Sequence, residues 1–207
     1  MTILIVGLII FLGIHSISIF APALREGIVA RIGALPWRGI YSVISIVGFV
    51  LIIKGYGLAR HEPVVLYSPP FWTRHLTALL MLPVFTLLIA PYFPGRISAA
   101  LKHPMLVAVM LWSVAHLISN GMLADVVLFG AFLVWAVADR ISYTHRTQRP
   151  LKGAPPAGRN DVIILVVGLA FYALFMLWLH LKLIGVQPIP ISRAALSAAH
   201  AAVPNAM

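Results

Sequence analysis

No cysteine occurs anywhere in the 207 residues, and that absence removes several chemistries together. It excludes a disulfide framework, an iron–sulfur cluster, a thiolate-ligated haem and the Cys-x-x-Cys-His attachment of c-type haem. Acid is nearly as scarce, with five residues in all: Glu26, Glu62, Asp125, Asp139 and Asp161. So few carboxylates make a di-iron carboxylate centre or a glycosidase acid pair hard to build. Charge of either sign is thin, at 10% of residues against 61% hydrophobic, with a mean hydropathy of +1.01. Soluble domains carry roughly 25% charged and 45–50% apolar residues. The composition is that of a membrane protein, and eight histidines are its main chemical resource.

A bilayer core about 30 Å thick takes roughly 20 apolar residues as a helix, or somewhat fewer. Six such runs are present, at 2–20, 39–58, 76–90, 105–118, 123–138 and 162–184. They are continuous in Leu, Ile, Val, Ala and Phe rather than alternating, so they read as helices and not as barrel strands. The expected fold class is all-α, a polytopic bundle of about six transmembrane helices. Residues 1–6 carry no Lys or Arg and the first charges, Arg25 and Glu26, follow the apolar run. That order argues against a signal peptide, and the first run is expected to stay in the mature protein.

The formal charge of +10 invites a nucleic-acid partner, but the positions of the basic residues argue otherwise. With the N-terminus outside, ten fall on the cytoplasmic side: Arg25, Arg31 and Arg38, then Arg96 and Lys102, then Arg140, Arg146, Arg149, Lys152 and Arg159. Five, Lys54, Arg60, Arg74, Lys182 and Arg193, fall on the other. This bias orients helices by the positive-inside rule. The expected partner is the lipid bilayer of an inner membrane, with both chain ends periplasmic and no nucleic acid bound. Residues 140–160, basic and rich in Pro and Gly, read as a linker hugging anionic headgroups. One transmembrane domain, 1–187, is expected, with a flexible tail at 188–207, where ISRAALSAAHAA could form a weak interfacial helix. No internal repeat at transporter spacing is present. The link SNGML between the fourth and fifth runs is short enough to make them antiparallel neighbours, with Gly121 as a left-handed cap.

Asp125 suits the positive N-terminal end of the fifth helix, and Asp139 a surface pair with Arg140. His61, His145 and His200 fall in loops or the tail, while His75, His103 and His180 lie at helix ends. Only His15 and His116 sit well inside. At helical spacing Ser113, His116 and Asn120 share a face with Trp112 alongside, while His15 has Ser16 and Ser18 nearby, so each ring has a hydroxyl that could orient it. From the helical rise, the two histidines differ in depth by only about 7 Å. Two imidazoles could then flank one metal if the helices lie on the order of 12 Å apart. Buried imidazoles that merely hydrogen-bond between helices are the other reading.

The stretches HSISIFAPALREGIVARIGALPWRGIYSVIS, GYGLAR, EPVVLYSPP, TRHLTALLMLPVF, PGRI, KHPMLVAVMLWSVAHLISNG and LFGAFLVWAVADRIS together resemble the NnrU family over about residues 3–185. The resemblance implies a bacterial integral membrane protein linked to denitrification and nitric oxide metabolism. It also extends to the 15-cis-zeta-carotene isomerase, which uses haem b in the membrane. Carried across, that likeness implies His15 and His116 as metal ligands, with Ser113, Asn120 and Trp112 beside a haem b and a small apolar ligand or substrate. Ser113 stands where the isomerase pattern has cysteine. A serine hydroxyl is a poor ligand for haem iron, which argues against ligand switching there and so against carotene isomerisation. A non-catalytic assembly or transport factor for nitric oxide respiration is the alternative.

Overall fold

A computed structural model describes residues 1–145 and 153–189. Among them there are helices and a single isolated β-bridge, with no strand. The order is α1 (Thr2–Phe20), α2 (Pro22–Ile32), α3 (Ala34–Ala59), α4 (Thr73–Met81), α5 (Val84–Ile89), α6 (Arg96–Leu101), α7 (Pro104–Ser119), α8 (Leu123–Ser142), α9 (Arg159–Leu174) and α10 (His180–Ile184). Every expected apolar run is helical over most of its length. Four segments are long and apolar enough to cross a bilayer: Thr2–Phe20, Ala34–Ala59, Thr73–Tyr92 and Arg159–Ile184. α7 is apolar but shorter, at 16 residues, and the 20 residues of α8 include Asp125, Asp139 and Arg140.

Proline and glycine set most of the boundaries. Pro22 and Pro104 occupy the first turns of α2 and α7, where a missing N–H costs nothing. The run expected as one helix at 76–90 is two, because Pro83 has no N–H to continue the ladder between α4 and α5. A short 3₁₀ turn, Ala90–Tyr92, closes it. The π-helical stretch Phe175–Leu179 separates α9 from α10, which ends on left-handed Gly185 at φ 76°. α2, in what reads as a loop, is an added helix joined to α3 through Gly33 at φ 90°.

The tightest seam is antiparallel, between α1 and α3. A Cβ on Gly7 would come within 2.6 Å of the Ile52 nitrogen, and one on Gly48 within 2.7 Å of the Phe11 nitrogen. With lipid tails as apolar as leucine, such backbone approach supplies the packing that hydrophobic exclusion supplies in water. α8 runs parallel to α1, with Phe11 against Phe132 and His15 against Trp135, and antiparallel to α7. α9 packs antiparallel on α5, Phe85 meeting Phe171 and Phe175. Met1 and Ile184 thus lie at one end of the bundle, where Arg60 Nη1 donates to the Ile184 carbonyl at 3.0 Å.

The α7–α8 hairpin forms as expected, but its glycine works differently. Asn120, the cap of α7, is extended at φ −131° and ψ 127°, and Gly121 is not left-handed. It is required because the Tyr67 carbonyl occupies the space a Cβ would need. Residues 64–67 strap the turn: Leu66 and Tyr67 N–H donate to the Gly121 carbonyl at 2.8 and 3.2 Å, and Leu123 N–H to Val64 at 2.8 Å. The Tyr67 hydroxyl donates to the Leu117 carbonyl and, at 2.7 Å, to that of Asn120. Partial burial, with Asp125 nearby, pushes that phenol up from its ordinary value and keeps it protonated.

The described parts of the expected linker, 140–145 and 153–160, are also more ordered than their composition suggests. α8 extends to Ser142, and Arg140 donates to the Leu101 carbonyl at 2.8 Å instead of standing only beside Asp139 at a surface. Asp139 is itself buried, at 7% exposure. Residues 153–161 are pinned to 92–97: Ala154 N–H reaches the Tyr92 carbonyl at 2.8 Å, and Asn160 Nδ2 reaches Pro94 and Pro155 at 2.8 and 2.9 Å. Arg146, Arg149, Lys152 and the tail from 190, with its expected interfacial helix and His200, lie outside the described residues.

Candidate functional site

Three helices carry the site: α1 supplies His15, α7 supplies His116, and α8 runs between them. Neither ring is oriented by the serine hydroxyl expected for it. His15 Nδ1 lies 2.6 Å from the Phe11 carbonyl and His116 Nδ1 lies 2.8 Å from the Trp112 carbonyl, each one turn back on its own helix. A carbonyl only accepts, so Nδ1 holds the hydrogen, and a neutral ring keeps its lone pair on Nε2. That is the state in which histidine ligates a metal. The main chain does here what Ser113, Ser16 and Ser18 were expected to do, because the i−4 carbonyl sits directly beneath a helical side chain.

The other expected residues separate. Trp112 stays beside His116, their ring centroids 5.6 Å apart. Asn120 closes α7 by donating from Nδ2 to the His116 carbonyl at 2.9 Å and does not touch the imidazole. Ser113 is wholly buried, and its Oγ has no partner among the described residues. An unpaired buried hydroxyl costs about 1–3 kcal/mol.

Aromatic rings fill the space between the histidines. His15 stacks on Phe11 at 4.2 Å and meets Trp135 edge-on at 6.0 Å, while His116 stacks on Phe129 at 4.6 Å. Phe132 joins the two sets, at 5.8 Å from Phe11 and 5.4 Å from Trp112. The contacts at Trp135 and Phe129 are six residues apart on α8, about 9 Å along its axis. His15 and His116 thus meet α8 at different levels, with Phe132 linking their aromatic neighbours. Depth placed the two at similar levels, but α8 stands between their helices.

A recess adjoins two neighbours of His15, namely Ser16 and Trp135. A groove of about 430 Å³ lies between α1 and α8, with Leu12, Ser16 and Phe20 on one wall and Gly130, Val134 and Ala138 on the other. Small residues leave the room, since a Cβ on Gly130 would meet nothing within 4 Å. Trp135 also lines it, and its buried Nε1–H has no acceptor among the described residues. An apolar groove walled by Trp135 and by the neighbour of His15 in sequence has room for a flat apolar ligand. Among the described residues no group of three or more His, Asp or Glu gathers to hold a metal.

Two carboxylates belong to this arrangement that sequence reasoning gave only structural roles. Asp125, in the first turn of α8, accepts from its own N-cap, Met122 N–H, at 3.0 Å, as its position predicts. It also accepts the Tyr56 hydroxyl at 2.6 Å, and Arg60 lies over that ring. Asp139, at the other end of α8, is buried at 7% exposure. The signal available was the presence of two acids in an otherwise apolar helix, but Tyr56 had none.

No curated protein and no solved structure matches the chain. The family model described as NnrU protein matches residues 3–188, a span that includes both histidines, the strap and every helix above, so the chain is an integral membrane protein that belongs to the NnrU family.

Proposed function

We propose that this NnrU-type protein serves nitrogen-oxide metabolism in a bacterial inner membrane, with both ends periplasmic, by holding haem b in the α1–α8 groove with His15 as its ligand. One observation carries the reading: His15 is pinned through Nδ1, and two of its neighbours, Ser16 in sequence and Trp135 at 6.0 Å between ring centroids, line the α1–α8 groove. Bound haem b would supply an iron able to take a small apolar ligand such as nitric oxide. The chain would contribute the imidazole and an apolar wall from Leu12, Phe20, Val134 and Trp135. His116 in this reading locks α7 to α8.

A second reading is favoured by the unbroken packing of Phe11, Phe132, Trp112 and Phe129. Both histidines then only join helices, and the protein is a non-catalytic membrane factor for nitric oxide respiration. Purification from haem-replete cells separates the two. The first requires a Soret band with a five-coordinate spectrum, lost in His15→Ala and kept in His116→Ala and His61→Ala. A colourless protein, or a His15→Ala variant with the parent spectrum, supports the second.

A further inference from the structure

At the opposite end of the bundle from Met1, the chain builds a second recess. Its walls are residues 94–99, leading into α6, and 156–158, leading into α9, and its volume is about 620 Å³. The walls are held together before any ligand arrives. Asp161 accepts Arg96 N–H at 2.9 Å and Ile97 N–H at 3.1 Å, Ala157 N–H reaches the Pro94 carbonyl at 3.2 Å, and Asn160 bridges Pro94 and Pro155. The carboxylate of Asp161 is thereby engaged by main-chain donors on both oxygens.

We propose that this recess seats the headgroup of an anionic phospholipid. Its interior is apolar, with Pro94, Ala99, Pro156 and Ala157 suited to the glycerol and first acyl carbons. Its rim is cationic. Arg96 lines it and Arg159 adjoins it at Gly158, both exposed, and among the described residues neither side chain has a hydrogen-bond or ion-pair partner. A guanidinium matches a phosphate in fork geometry. The whole end has the complementary sign: Arg25, Arg31, Arg38, Arg96, Lys102, Arg140 and Arg159 face only Glu26, Asp139 and Asp161 among the described residues. The recess opens where α6 and α9 begin, at the level at which lipid headgroups stand. An anionic leaflet gives each nearby basic residue about a fivefold gain in binding, so a built slot that gathers two is selective where scattered charge is not.

The test is titration of the full-length purified protein with phosphatidylglycerol and, separately, phosphatidylcholine, with bound lipid read by native mass spectrometry. Phosphatidylglycerol should bind in preference. Arg96→Gln with Arg159→Gln should weaken it about thirtyfold, whereas Arg31→Gln with Arg38→Gln, at the same end but outside the recess, should leave it unchanged. Ala99→Leu keeps every charge and narrows the slot, and it should weaken binding as well. Equal loss in the two arginine pairs would reduce the effect to diffuse charge and overturn the proposal. So would undiminished binding to Ala99→Leu, or no preference for the anionic lipid.

Discussion

Gly121→Ala adds one methyl group, and the structure places that methyl on the Tyr67 carbonyl. Neither side can yield cheaply, because both atoms belong to main chain fixed by neighbouring hydrogen bonds. Relief requires the strap to lift from the hairpin. Four bonds are then at stake: Leu66 and Tyr67 N–H to Gly121, Leu123 N–H to Val64, and the one Tyr67 hydroxyl hydrogen shared between the Leu117 and Asn120 carbonyls. At about 1 kcal/mol net for each, and with some rebuilt to water, the substitution should cost about 2–4 kcal/mol. Gly185→Ala is the control. There the penalty is purely conformational, since φ is 76° and a Cβ would meet nothing within 4 Å, and a left-handed non-glycine residue costs about 1–2 kcal/mol. Thermal unfolding in detergent, followed by circular dichroism and by aggregation, compares the two directly. Gly121→Val should be worse than Gly121→Ala, because the branched side chain has still less room. Should Gly121→Ala and Gly185→Ala unfold at the same temperature, the strap does not hold the hairpin and this reasoning fails.

Topology is checked by fusion: a reporter after Arg149 should read cytoplasmic and one after Gly185 periplasmic, and the reverse pattern would invert the bundle. Gly48→Leu should abolish accumulation of folded protein, because it drives a side chain into the α1 backbone at Phe11, whereas Gly13→Leu, with open space around it, should be tolerated in expression assays. Asp161→Ala removes the acceptor for Arg96 and Ile97 N–H and should cost about 1–2 kcal/mol, read as faster limited proteolysis between α5 and α9. His61→Ala and His145→Ala should leave both stability and any haem spectrum unchanged.

Much of this architecture was legible because the bilayer imposes it. Runs of Leu, Ile and Val must be helical in hydrocarbon, and a three-residue link such as 120–122 can only fold α8 back on α7. Asp125 was readable at the N-terminus of α8 for the same local reason. What escaped was lateral. Helical rise fixes how deep His15 and His116 stand, but it carries no information about which helix is whose neighbour, and α8 packs against both of their helices. The serine assignments failed because spacing identifies residues on one face without weighing the backbone carbonyl already beneath the ring. Pro83 signalled a break inside an apolar run, and hydropathy overrode it. The strap at 64–67 joins residues at least fifty positions from it in the chain, and no local pattern announces such a contact.

That strap also orders events in time. The α1–α3 seam joins segments close in sequence and can close as soon as α3 is inserted. Residues 64–67, made next, have nothing to grip until Gly121 has reached the same side of the membrane and Leu123 has started back across it. The α3–α4 connection must therefore wait, with its amides open, while α4 to α7 are threaded. Its closure is a late step that reports the arrival of α8, so that a chain stalled or cut before Leu123 would be left with the latch undone.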